Sequence, residues 1–275
     1  MRLQDKTAVI TGGSNGIGRA CAHRFSREGA NIVVADLLVD EGRAAAAAIE
    51  GDGGRATFVE LEAADPESNR AMVDAAVDAF GSVDVLVTAA GISHGGYLSG
   101  DAEADRKRYA QAAERAEIPA ASLTELDIDD WRRVLDVNLT GTLLAVQAAA
   151  RTMIDHERTG SIVTIASIAA VDPLWGAPSY PVSKAGVWML TKNAARTLAP
   201  LGIRVNSIGP GFIETNMTAV MSEVEEINGV VMGGTPLGRK GTPDEVANVA
   251  LFLASDEASF VTGELIHPDG GWFTG

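Results

Sequence analysis

The run Thr11-Gly12-Gly13-Ser14-Asn15-Gly16-Ile17-Gly18 follows the apolar residues Ala8-Val9-Ile10 and leads into an amphipathic stretch. Glycines so placed let the backbone turn tightly, approach a pyrophosphate closely and present a helix N-terminus to negative charge. A glycine-rich string alone marks only a turn. Here it stands between a strand and a helix, and a second apolar run, Ile32 to Ala35, ends on Asp36, eighteen residues after Gly18. That is the spacing of a dinucleotide-binding βαβ unit. A carboxylate there accepts hydrogen bonds from adenosine ribose hydroxyls and repels a 2′-phosphate, so Asp36 favours NAD over NADP. Leu37 and Asn15 supply no compensating cation, and Arg19 reads as a solvated helix residue. The competing reading of Asp36 is a helix or turn cap.

Outward from this turn the same rhythm continues. Strands are expected at Thr7 to Ile10, Ile32 to Ala35, Thr57 to Leu61, Val83 to Thr88, Ile162 to Ile165, Arg204 to Ile208 and Leu265 to His267. Helices are expected near Gly16 to Glu28, Asp40 to Ile49, Pro66 to Phe80, Ile128 to His156, Ser179 to Leu198 and Pro243 to Ala254. Asp65-Pro66 and Thr242-Pro243 each set a capping side chain before a first-turn proline. Continuous apolar strands separated by helices imply a parallel sheet buried on both faces, an α/β doubly wound Rossmann-type fold. No linker divides the chain, so residues 1–275 are expected to form one NAD-binding catalytic domain. The stretch at about 95–126 breaks the rhythm and reads as an insertion, solvated in preference to a substrate lid, with an extra helix over Ala102 to Ala116.

Two further motifs carry chemistry. Tyr180-Pro181-Val182-Ser183-Lys184 opens a helix, and its four-residue spacing stacks Tyr180 and Lys184 on one face. An ammonium beside the phenol is expected to lower the tyrosine pKa toward the neutral range. Ser167 closes the strand Ile162 to Ile165, at the carboxyl edge of the sheet, where its hydroxyl could bond a substrate oxygen.

These ordered motifs resemble the short-chain dehydrogenase/reductase family over almost the whole chain. Thr11 to Gly18 matches its Thr-Gly-x-x-x-Gly-x-Gly turn, and Asp36 its NAD-selecting acid. Ser167, Tyr180 and Lys184 match its catalytic serine, tyrosine and lysine. Asn138, in Asp136-Val137-Asn138-Leu139, matches a helix asparagine that in relatives holds a water linking the lysine to solvent. Pro210 to Thr215 resembles the segment that clasps the nicotinamide. The resemblance implies dinucleotide contacts from Gly12, Ser14, Asn15, Gly16, Ile17, Gly18, Asp36, Leu37, Glu62, Ala63, Ala90, Gly91, Tyr180, Lys184, Gly211, Ile213 and Thr215. It also implies a homotetramer, with the helices from Ile128 and Ser179 between subunits. Two departures stand out: Thr88-Ala89-Ala90-Gly91 replaces the usual Asn-Asn-Ala-Gly, and Glu62 replaces an aspartate that meets adenine. Altered cofactor affinity is expected from these before lost chemistry.

The activity so implied is NAD-dependent hydride transfer between a nicotinamide and a secondary alcohol or ketone, apolar or cyclic. The alternatives are a 3-oxoacyl thioester reductase and a non-catalytic nucleotide-responsive regulator; sugars and polyols remain open as substrates. Ile168, Leu174, Trp175, Phe212 and Met217 are candidate pocket residues, as is His94, each with a plain packing alternative. Composition narrows the partners. Of 275 residues, 37 are acidic and 22 basic, a net charge of −15, which opposes a nucleic-acid role. No apolar span suits a membrane, and Met1 to Lys6 lacks a signal-peptide core. The single Cys21 excludes an intramolecular disulfide and a cysteine-based metal cluster, and no metal is expected. A cytoplasmic location is the expectation.

Overall fold

A computed structural model describes residues 1–107, 120–173 and 177–274. Seven parallel strands, β1 (Thr7–Thr11), β2 (Asn31–Asp36), β3 (Arg55–Glu60), β4 (Val85–Thr88), β5 (Gly160–Ile165), β6 (Ile203–Ile208) and β7 (Leu265–Ile266), lie in the order β3-β2-β1-β4-β5-β6-β7. The order reverses between β1 and β4, the switch point where open α/β sheets bind ligands.

Both faces of the sheet are covered. Alternate residues of β1 and β2 point to opposite sides: Ile10, Ile32 and Val34 meet Cys21 and Phe25 of α1 (Gly16–Ser26) and Ile49 of α2 (Val39–Gly51). Leu251 and Leu253 of the late helix Pro243–Ala254 belong to the same face. On the other face Val9 and Val33 meet Met72 of α3 (Pro66–Phe80). Burial pushes the Cys21 thiol up to about 12, so it behaves as a small apolar side chain.

The caps read from sequence are present. The Asp65 carboxylate accepts from the amides of Glu67 and Ser68 at the start of α3, and Thr242 and Glu245 form a capping box on Pro243–Ala254. The expected helix from Ile128 to His156 is instead three pieces: α4 (Ile128–Leu135), a π-helical turn (Asp136–Thr140) and α5 (Gly141–Asp155). Wider turns of this kind recur at functional sites, and this one contains Asn138. The long helix α6 (Ser179–Leu198) follows β5. Of the expected extra helix Ala102 to Ala116, residues 102–107 are helical and 108–116 lie outside the described residues. Among the described residues no helix is long and apolar enough to cross a membrane.

The amino-terminal edge of the sheet is held by one buried carboxylate. Asp84 accepts from Thr7 N (2.9 Å) and Ser82 Oγ (2.8 Å), and Arg158 reaches its second oxygen at 3.0 Å. Asp84→Ala strands the buried Thr7 amide, and urea unfolding is expected to show a loss of about 2 to 3 kcal/mol.

Candidate active site

The carboxyl ends of β1, β2, β4, β5 and β6 open onto one groove of about 290 Å³. Its floor is the glycine turn. Gly12 and Gly16 have φ of +66° and +51°, a region that disfavours L side chains. A Cβ on Gly12 would stand 2.6 Å from Ala90 N, and one on Gly18 would stand 2.2 Å from Gly12 O. The turn is therefore pressed against the start of its own helix on one side and the end of β4 on the other. Thr11 Oγ1 accepts from Ala90 N at 3.2 Å, which binds the two segments together. Small residues at Ala89 and Ala90 permit that approach. The Thr88 hydroxyl is buried without a hydrogen-bond partner among the described residues.

Asp36 has the turn-holding role read from the sequence and also faces the groove. It lines the groove, and its carboxylate also holds the turn: Oδ2 accepts from Ser14 N (3.1 Å) and Ser14 Oγ (2.5 Å), and Oδ1 from Leu38 N (3.0 Å). Glu62 lies at the same end of the groove, 3.5 Å from the Arg133 guanidinium. The opposite end is closed by Ile213 and Thr215. The amide of Glu214 donates to Gly241 O and that of Gly241 to Phe212 O, which brings Thr215 Cγ2 to within 3.4 Å of a Cβ placed on Gly16. Every residue expected to contact the dinucleotide lines this one groove.

Ser167, Tyr180 and Lys184 also come together in it. Ser167 is extended (φ −171°), and its Oγ accepts from Ala169 N at 3.1 Å beside the Tyr180 phenol. Lys184 is buried, its Nζ donating to Ile165 O at 2.9 Å and lying 5.7 Å from the Tyr180 ring centre. Here the structure corrects the expected electrostatics. Burial raises the Tyr180 pKa, and the opposing, lowering influence is the Ser167 hydrogen bond rather than the lysine. Burial in turn lowers Lys184 from 10.5 to about 8.

Asn138 does not line the groove. Its amide is buried and fully engaged: Oδ1 accepts from Ile92 N (2.8 Å), and Nδ2 donates to Ile92 O (2.9 Å) and Ser183 Oγ (3.0 Å). It thus ties the chain beyond β4 to the helix that carries Tyr180 and Lys184. Of the expected pocket residues, Met217 lines the groove. Ile168 is buried in the interior, and Phe212 stacks on Trp272 at 5.1 Å. Leu174 and Trp175 lie outside the described residues. His94 sits behind the wall, 3.1 Å from Asp105. Tyr97, Leu98 and Ser99, from a stretch expected to be solvated, form part of the wall itself.

The chain matches the short-chain dehydrogenase family over residues 6–226. It belongs to that family. Trans-4-hydroxycyclohexanecarboxylate dehydrogenase of Sinomonas cyclohexanicum is 39% identical over 276 residues, covering 98% of this chain and 93% of that protein. The 3-oxoacyl-(acyl-carrier-protein) reductase of Aquifex aeolicus is 36% identical, over 99% of each chain. Among solved structures, a short-chain type dehydrogenase/reductase from Mycobacterium ulcerans superposes with a TM-score of 0.84 at 32% identity, covering 99% of this chain and 91% of that one. This short-chain dehydrogenase is accordingly an oxidoreductase acting on CH–OH groups with a nicotinamide cofactor, NAD or NADP.

The lysine shift is itself testable. A lysine whose pKa falls on folding costs stability while it is charged, and that cost fades as pH climbs from its folded pKa of about 8 toward 10.5. Wild type is therefore expected to gain about 2 to 3 kcal/mol relative to Lys184→Met between about pH 7 and about pH 10, measured by urea unfolding at each pH.

Proposed function

We propose that the protein transfers hydride between NAD(H) and a secondary alcohol or its ketone, apolar or cyclic in skeleton. The observation that carries the reading is the convergence of Ser167, Tyr180 and the buried Lys184 in the groove. The groove supports a dinucleotide: the Gly12–Gly18 turn admits no Cβ at its crossing points, and Asp36 lines the groove at the end of β2, where its carboxylate would meet ribose hydroxyls. When bound, the nicotinamide supplies or takes up the hydride.

The residues of the chain handle the proton. In reduction, Ser167 Oγ polarises the carbonyl oxygen and Tyr180 Oη donates its proton to it; in oxidation, Tyr180 Oη receives the hydroxyl proton. Burial keeps the phenol protonated, the form that serves reduction, and the Ser167 hydrogen bond works against that bias. Lys184, fixed on Ile165 O, sets a positive charge next to the phenol ring. Asn138 acts as a positioning residue, through Ser183 and Ile92.

Several finer points belong to the same proposal. Asp36 supports NAD as the dinucleotide, since both oxygens are already held close to the turn and face a 2′-phosphate with negative charge. Exposed Ile128 on α4, and Val182 and Met189 seven residues apart on α6, support a homotetramer with these helices between subunits. The single buried thiol of Cys21 supports a reducing, cytoplasmic setting.

Tyr180→Phe is expected to cut turnover of a ketone panel about a thousandfold while NADH still quenches tryptophan fluorescence; turnover at the wild-type rate would overturn the assignment. NADH is expected to support reduction better than NADPH, and Asp36→Ala to shrink that preference by about tenfold or more in kcat/KM. A wild-type preference for NADPH would contradict the reading of Asp36.

A further inference from the structure

The groove wall contributed by residues 94–107 has no counterpart in the hydride chemistry, yet it is built with care. The amide of Tyr97 closes a turn onto His94 O (3.0 Å), and the two rings meet edge to face at 5.8 Å. Behind them His94 contacts the buried Asp105, and Gly95 N donates to Asp130 Oδ1 at 2.9 Å, which anchors the wall to α4. In front, Tyr97 stands beside Ser99, whose Oγ accepts from Asn216 Nδ2 at 3.1 Å. Tyr97, Ser99 and Asn216 all line the groove that holds Ser167 and Tyr180. Asn216 directly follows Thr215, so this polar trio adjoins Thr215 in the same groove.

We propose that Tyr97, set by Ser99 and Asn216, is a specificity-determining subsite for a second, neutral hydroxyl on the substrate, carried across the ring from the reacting carbon. The proposal deepens the alcohol dehydrogenase reading and rests on it. The hydrogen-bond sense follows from the donors. Asn216 Nδ2 spends a proton on Ser99 Oγ, and the Tyr97 O–H at the groove can donate to an acceptor there. A braced, partly buried phenol gives up little freedom on binding, so its hydrogen bond counts toward discrimination. The charge nearby selects a neutral partner. Burial first, and then the Asp105 charge, raise the Tyr97 pKa, the mark of surroundings that disfavour an anion, and Arg106, on the same excursion, is already paired bidentately with Glu223 (2.7 and 2.9 Å).

The test uses the full-length enzyme with NAD and three substrates: cyclohexanol, trans-1,4-cyclohexanediol and trans-4-hydroxycyclohexanecarboxylate. Wild type is expected to favour the diol over cyclohexanol by about tenfold in kcat/KM, the worth of one good neutral hydrogen bond. In Tyr97→Phe that ratio is expected to fall to about parity, and in Ser99→Ala to an intermediate value. Because each ratio is taken within one variant, a general loss of activity or of folded enzyme divides out. Equal use of diol and cyclohexanol by wild type, an unchanged ratio in Tyr97→Phe, or a preference for the carboxylate over the diol would each overturn the subsite while leaving the dehydrogenase intact. Oxidation of none of the three would instead refute the cyclic-alcohol reading, and the subsite with it.

Discussion

One buried amide sets the geometry on which the rest of the site depends. Asn138 has no solvent exposure, and its three hydrogen bonds reach Ile92 on the chain leaving β4 and Ser183 on α6. Those two segments follow the neighbouring strands β4 and β5, on one side of the sheet's switch point. Fixing their separation fixes where Tyr180 and Lys184 stand relative to Gly91, and there is little slack: a Cβ on Gly91 would lie 3.3 Å from Asn138 Oδ1 and 3.4 Å from Lys184 Nζ. An unmade hydrogen bond at such a buried amide would cost the full desolvation penalty. The π-helical turn is the local means by which α4 and α5 deliver the side chain there.

Around this clamp, close approach and charge work against each other. The glycine turn is crowded to the point that side chains are excluded, which brings backbone amides within reach of a phosphate. Yet the same turn is held by a carboxylate, and the protein carries a net charge of −15. Its long-range field opposes the approach of an anionic dinucleotide. Any compensating attraction has to be short-range, acting where water is sparse. Asp36 lines the groove at the same position where it stabilises the turn.

Much of this was legible in the sequence because it depends on local order. Strands buried on both faces read as continuous apolar runs, Asp65-Pro66 announces α3, and the spacing of Tyr180 and Lys184 follows from helical geometry. What could not be read depends on neighbours distant in the chain. Nothing in Asp136-Val137-Asn138-Leu139-Thr140 distinguishes a π turn from an α turn. The tyrosine–lysine spacing places two side chains on one face but does not say that Nζ turns to Ile165 O, nor that burial outweighs charge at the phenol. Arg133, four residues before Val137 on a charged helix, looks like a solvated side chain until Glu62 is seen 3.5 Å away. Tyr97 and Ser99 sit in a polar stretch with no periodicity, and their place in the groove depends on Asn216, more than a hundred residues downstream.

Among the described residues, the two excursions of the outer wall are joined by Asn216 to Ser99 and by Arg106 to Glu223. Neither is a complete structural unit. Transplanting residues 94–107 from a relative without residues 216–223 would leave Glu223 without its guanidinium and Ser99 without its donor, and the reverse exchange would leave the complementary orphans. Substrate range in this scaffold is thus a property of a pair of loops rather than of either one. A designer seeking a new range, or a lineage drifting toward one, has to change both together.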